Sequence, residues 1–548
     1  MSNRGRRGLL RSFSRATTDA VGTEADLGDG FLTRQGFTLV WVGWEFDVPS
    51  TPGLLRIEVP VATEHGRPIR GVVRSLFSVD ARTRSYTLTD LAAYPPAEPG
   101  NARAELSVQP SRTKGPRVAI PREQWSLTDN VVSLASGFVP GHSYEISYEA
   151  ANPPIAGLGF AAIRDTTAWL KHAADAPVRA ERAYAFGISQ TGRFLRDFLY
   201  HGFNSDEQDR PVFDAVIAHI AGAARLDFNR RWSIPRSQGY YPVSGFPFAD
   251  ARQNDPVTGV TEGLLENPRV RHAPKVFYTN TSAEYWGGGR VAALVHTDPA
   301  GAKDVALPEN VRFYTFAGTQ HGPAGFPMPA PTVAQQRANP ANFWWSMRAL
   351  LLAMDRWVKD STPPPASAHP TLRDRTLVQA ADVALPAIPG LASPRALTAG
   401  ARAANPLLPR EGGKGAPLPL LVSQVDLDGN ELGGIRLPDI AVPLATYTGW
   451  NFRAQNAGSP EDIVPLAGSW IPFAATEAAR ASAGDPRRSI AERYASRADY
   501  LGKVERAAGE LVEQRFLLAE DVAAIVNAAG KQWDWLTAPA RGTNAQSR

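Results

Sequence analysis

The chain has 548 residues, enough for two or three domains rather than one. Hydrophobic residues at 43% and charged residues at 20% fit a soluble globular protein, and a net charge of only +4 argues against a dedicated nucleic-acid binder. The absence of cysteine excludes disulfides, thiolate catalysis and cysteine-ligated zinc, and no apolar run is long enough to span a bilayer.

The segment Met1 to Ala16, "MSNRGRRGLLRSFSRA", is rich in Arg and Ser and lacks acids, a faint transit-peptide texture. A basic surface segment or a displaced start is the simpler reading. With no apolar stretch of signal-peptide length, a cytoplasmic location is the expectation. Next, "GFLTRQGFTLVWVGWEFDV" reads as a short helix, a turn at Gly36 and a buried strand over "FTLVWVGW". From 53 to 149, short β-type runs such as "LLRIEVPVAT", "VVRSLFSVD" and "YEISYEA" are separated by Pro, Gly and Asp, which predicts an inserted β-rich subdomain.

Pro153 and Pro154 then lead into a helix from about Gly157 to His172. Its Gly157-x-Gly159-x-x-Ala162 imitates a dinucleotide fingerprint, but no strand precedes it, so close helix packing is the better account. Beyond it, strands and helices alternate. "RAYAFG", "FDAVIAHIAG", "PKVFYTNTS" and "NVRFYTFAGT" read as strands; "RFLRDFLYHGF" and "NFWWSMRALLLAMDRWV" read as helices. This pattern predicts an α/β fold whose mostly parallel sheet carries helices on both faces. Residues 1–52 and 150–362 form its core, and 363–417, rich in Pro, Ala and Gly, a linker or wrapping segment. Residues 418–548 form a C-terminal extension. There Asp426-x-Asp428-Gly429 has its glycine at the wrong offset for a calcium loop and predicts a hairpin turn. "SIAE" at Ser489 to Glu492 is a capping box opening a helical tail, with Leu501, Val504, Ala508, Leu511 and Val512 as its apolar stripe.

The chemistry concentrates at "AFGISQTGRF". Gly187-x-Ser189-x-x-Gly192 sits between an apolar strand and an amphipathic helix, the setting of a nucleophile elbow. Thr191 stands where the usual second glycine would be. A serine hydroxyl needs a base within hydrogen-bond reach, and the base needs an acid to orient it. In α/β-hydrolases these follow in the order Ser, acid, His. Glu284 follows the strand "PKVFYTNTS" and His321 follows "NVRFYTFAGT", so three strand ends supply the set in that order. Asp227 is the reserve acid and His296 the reserve base, while His219, inside a strand, reads as a core histidine.

The stretches "RQGFTLVWVGWEFDV", "YEAANPPIAGLGFAAIRD", "FGISQTGRFLRDFLYHGFN", "YTNTSAEYWGG", "FAGTQHG" and "IAVPLATYTGWNFR" together resemble a bacterial family of α/β-hydrolase-domain proteins across nearly the whole chain. The elbow form is more distantly similar to the glucuronoyl methylesterases, which implies that a displaced glycine occurs in functional elbows. The resemblance implies the α/β-hydrolase fold and a serine esterase with Ser189, Glu284 and His321 as triad. Such proteins usually place further strands before the helix feeding "FTLVWVGW". Asn3 to Gly8 then resembles the end of the strand bearing the second oxyanion donor, with one sheet edge left raw.

The oxyanion hole is expected from the Gln190 backbone N–H, with Arg4 or Gly5 as second donor and the Gln190 side chain assisting. Trp41, Trp44, Tyr285 and Trp286 are candidates to line a substrate pocket. The reading is a carboxylic ester hydrolase acting on a small molecule through an acyl-enzyme. No metal or organic cofactor and no nucleic-acid or membrane partner is expected. Two alternatives stand beside it: a catalytically silent hydrolase-fold binding or assembly module, and an amidase, peptidase or acyltransferase using the same residues.

Overall fold

The computed structural model describes residues 9–16, 23–88, 94–98, 100–101, 103–226, 228–233, 245–287, 290–399, 401–403 and 414–538. A β-rich module comes first. One antiparallel sheet joins β1 (Arg70–Ser78), β7 (Ser143–Ala151), β3 (Glu105–Gln109) and β4 (Val118–Ile120), in that order. A second joins β2 (Thr83–Thr87), β6 (Val131–Phe138) and β5 (Trp125–Thr128). Alternate residues of both, among them Val73, Phe77, Leu106, Leu127, Val132 and Ile146, share one core.

The parallel sheet is built from β8 (Tyr184–Ile188), β9 (Ala215–His219), β10 (Lys275–Thr281) and β11 (Val311–Phe316), adjacent in that order. Parallel neighbours need long crossovers, and α2 (Gln190–Tyr200) is the first of them. The period of two splits each strand between two cores. Val216, Ala218 and Val276 pack with Phe194, Leu195 and Phe198 of α2, and with Phe160 and Ile163 of α1 (Leu158–His172). Ala215, Ile217, Phe277 and Phe316 pack on the other side with Met347, Leu350 and Met354 of α4 (Trp344–Lys359). Both faces are therefore covered, which is why these strands read as continuous apolar runs. The register sets Ile188 beside His219, His219 beside Thr279, and Thr281 beside Phe316, so the four strands end together along one edge.

The residues beyond α4 are tied back onto this body. Leu377–Gln379 pairs with Leu421–Ser423, and the buried Arg402 grips Asp255 with two hydrogen bonds. The tail helices α5 (Arg497–Glu513) and α6 (Val522–Thr537) lay Tyr500, Val504, Ala508, Leu511 and Ile525 on the α4 side of the sheet. Buried Arg348 of α4 fastens the arrangement. It bonds Asp29 at 2.6 Å and Glu520 at 2.7 Å and lies 3.0 Å from Asp521. No helix among the described residues is long and apolar enough to cross a membrane.

Three expectations need correction. "FTLVWVGW" is not a ladder strand: Phe37, Leu39 and Trp41 pack on one core and Val42 and Trp44 on the other, with no strand pairing among the described residues. "LLRIEVPVAT" forms no long strand: only Thr63 enters one, the two-residue Thr63–Glu64, and Val61 makes a single bridge to Pro154. The capping box at Ser489 and Glu492 is present, yet it opens a single turn, Ile490–Arg493. The long helix is capped separately, by the Ser496 hydroxyl accepting from Asp499. Gly157 and Gly159 serve packing, since a β-carbon on Gly159 would lie 2.5 Å from the Trp44 carbonyl oxygen.

Candidate active site

The turn between β8 and α2 is built by what its residues allow. Ser189 caps α2 with φ +57° and ψ −107°, a sparsely populated conformation. A β-carbon on Gly187 would meet the Thr191 carbonyl oxygen at 2.5 Å, and one on Gly192 the His219 carbonyl oxygen at 2.8 Å. Glycine at both places lets the helix fold back this closely on the sheet. Thr191 is not an obstruction. Its hydroxyl accepts from the Ile188 N–H at 2.7 Å and donates to the Ile188 carbonyl at 3.0 Å. The Ser189 N–H donates to the His219 carbonyl at 2.8 Å, which anchors the turn on the next strand.

Glu284 belongs to α3 (Ala283–Trp286), the single helical turn directly after β10, and is fully buried. Its Oε2 accepts from the Thr281 N–H at 2.9 Å and from the Thr281 hydroxyl at 2.5 Å. This aims Oε1 at His321 Nδ1, 2.5 Å away. A carboxylate only accepts, so Nδ1 carries the proton and, in the neutral ring, Nε2 presents its lone pair. Burial alone would raise the Glu284 carboxyl; His321, Arg290 and Thr281 outweigh it and hold it at about 2. Burial pushes His321 below the ordinary histidine range. Glu284 pulls it back up, and Arg290 and Arg193 push it further down.

Arg290 links this pair to the serine. Its Nη2 donates to Ser189 Oγ at 3.3 Å and its Nη1 to the Ile220 carbonyl at 3.2 Å. One buried guanidinium thus touches the serine hydroxyl and lies within electrostatic reach of Glu284 and His321. The His321 loop is held from the extension. Gln320 Oε1 accepts from the N–H groups of Gly468 at 2.8 Å and Asn339 at 3.2 Å, and Asn339 Nδ2 donates to the Gly318 carbonyl at 2.6 Å.

Against this geometry, a family model described as "Alpha/beta hydrolase domain" matches residues 104–527. The chain belongs to that alpha/beta hydrolase family. The match runs from the β-rich module into α6, so the segment that holds the His321 loop lies inside the family's domain. No curated protein and no solved structure matches the chain.

The remaining candidates of this alpha/beta hydrolase fall in different places. The Gln190 N–H is at the first helical position, where the helix supplies no carbonyl to meet it. The Gln190 side chain donates to Glu45. Arg4, Gly5 and Asp227 lie outside the described residues. His296 is not positioned as a reserve base: it is enclosed in the core, bonded to the Tyr285 hydroxyl at 2.9 Å, with burial driving its pKa well down. The expected pocket aromatics are corrected too. Tyr285 is buried between His296 and Thr315, Trp44 packs on Phe194 and Phe228, and Trp286 packs on Trp450. Trp41 lines an apolar groove beside β8. His219 is a core histidine, as its position in a strand implies, bonding Thr279 at 2.8 Å. The sequence alone does not single out Arg290, which follows the Glu284 segment and meets Ser189 only in the folded chain.

Proposed function

We propose that this chain is a serine esterase. The observation that carries the reading is the 2.5 Å Glu284–His321 hydrogen bond, formed at the ends of two strands whose sheet also ends in Ser189. Ser189 Oγ attacks the ester carbonyl while His321 Nε2 takes its proton. The Gln190 N–H and the Arg290 guanidinium face the developing oxyanion. The tetrahedral species collapses, and His321 returns the proton to the departing alcohol. Water, deprotonated by His321, then releases the acid and regenerates Ser189. Glu284 stays ionised throughout and stabilises the imidazolium.

The test is labelling of the folded protein by a fluorophosphonate, beside Ser189→Ala and His321→Ala. The wild type should label, Ser189→Ala should not, and His321→Ala should label about a millionfold more slowly. A panel of p-nitrophenyl esters and anilides then reads the leaving group. A folded wild type that fails to label, or one that turns over only anilides, would sink the esterase reading.

A further inference from the structure

Beside the Glu284–His321 pair lies a second buried acid, Glu431, 3% exposed. The Asp426–Gly429 turn sets its place. Gly429, at φ +77°, returns the chain so that the Asp426 carbonyl accepts from its N–H at 3.0 Å and Glu431 bridges back to Val425. Asn430 pins the same hairpin, donating to the Ala445 carbonyl at 3.0 Å and accepting from the Tyr447 N–H at 2.9 Å.

The two oxygens of Glu431 reach different loops. Oε1 accepts from the Ser282 hydroxyl, in the segment that bears Glu284. Oε2 accepts from the Gly318 N–H at 2.8 Å, in the loop that bears His321. The Trp286 side chain also faces it. Gly449 backs closely onto the Glu284 loop, since a β-carbon there would lie 2.3 Å from Ser282 Oγ.

A buried carboxyl is a costly way to fill space; an apolar side chain would do so at lower cost. What an apolar group cannot do is accept two hydrogen bonds from two loops at once. We infer that Glu431 is a positioning residue, which ties the Glu284 loop to the His321 loop and so fixes the geometry of that pair without touching substrate. The inference rests on the serine esterase reading above.

The experiment is fluorophosphonate labelling of the full chain, as rate per folded molecule against pH, for wild type, Glu431→Ala, Glu431→Gln and Ser282→Ala. The groups facing His321 are Glu284, Arg290, Arg193 and His219. Of these Glu284 holds its pKa up. A loosened pair therefore lowers the rate and moves its acid midpoint down. Glu431→Ala should label about ten- to a hundredfold more slowly with a lower midpoint. Glu431→Gln should recover much of the loss, because its carbonyl still accepts from Gly318 and its amide donates to Ser282. Ser282→Ala should fall between. A merely structural role would reduce the folded fraction but leave rate and midpoint at the wild-type values, and that result overturns the inference. If Glu431→Ala does not fold, Ser282→Ala decides it: wild-type rate and midpoint there overturn it equally. A folded wild type that does not label removes the esterase reading, and this inference with it, whatever the variants do.

Discussion

Thr191 and Ile188 close a two-way hydrogen bond, the threonine hydroxyl accepting from one backbone group of Ile188 and donating to the other. The residue that departs from the common elbow pattern is thereby the one that fastens it. Thr191→Val keeps the shape and removes both bonds, stranding the Ile188 N–H. A loss of about 1–3 kcal/mol is expected, measured by urea unfolding. An unchanged midpoint and slope would show that the hydroxyl is dispensable.

Gly187→Ala tests the sterics of the same turn. Its β-carbon would collide with Thr191 backbone at 2.5 Å, so a flexible side chain cannot yield to relieve it. Little folded protein should be recovered, and any folded fraction should label slowly with a fluorophosphonate. A stable, fully reactive Gly187→Ala would mean that Ser189 does not need this turn.

The strand-and-helix alternation that predicts the sheet is legible because β8 to β11 are buried on both faces, leaving apolar runs of strand length. The order Ser189, Glu284, His321 is legible because each follows one of those runs. Other features are not. "FTLVWVGW" has strand composition, but its residues divide between two cores without pairing. Tyr285 and Trp286 sit beside Glu284 in the chain, and adjacency suggested a pocket that burial denies. Arg290 reaches Ser189 and Glu431 reaches both loops only through the tertiary fold, so no local period or spacing marks them. The Asp-Gly turn before Glu431 was readable; its destination was not.

The acid limb of the pH–rate profile should lie low. The base works only as neutral imidazole, so the rate rises with pH through the pKa of His321. Burial sets that pKa below its ordinary value, so half-maximal rate is expected below about pH 6.5. Glu284, at about 2, stays ionised over the whole range. In Glu284→Gln the influence that raises His321 is gone, so the midpoint should fall further as the plateau drops. A midpoint above 7 would contradict this electrostatic picture.

Arg290→Lys is expected to slow labelling about a hundredfold. A lysine cannot hold the Ile220 carbonyl and face Ser189 in one rigid fork. Comparing kcat and KM on a reactive ester should place the loss in kcat. A change confined to KM would move Arg290 from charge stabilisation to substrate binding.

Arg348→Met should destabilise the fold by about 3 kcal/mol, because buried Asp521 and its neighbours lose their shared cation. Chemical denaturation measures it. A neutral result would mean that Arg15, which bonds Asp521 at 2.5 Å, suffices alone.

Ser189, Glu284 and His321 all precede Glu431 and Gly468, which tether the Glu284 and His321 loops. During synthesis a nascent chain therefore carries Ser189, Glu284 and His321 before Glu431 and Gly468 have left the ribosome. A chain that stops short of Glu431 and Gly468 holds the serine, the acid and the histidine without the contacts that tether the Glu284 and His321 loops.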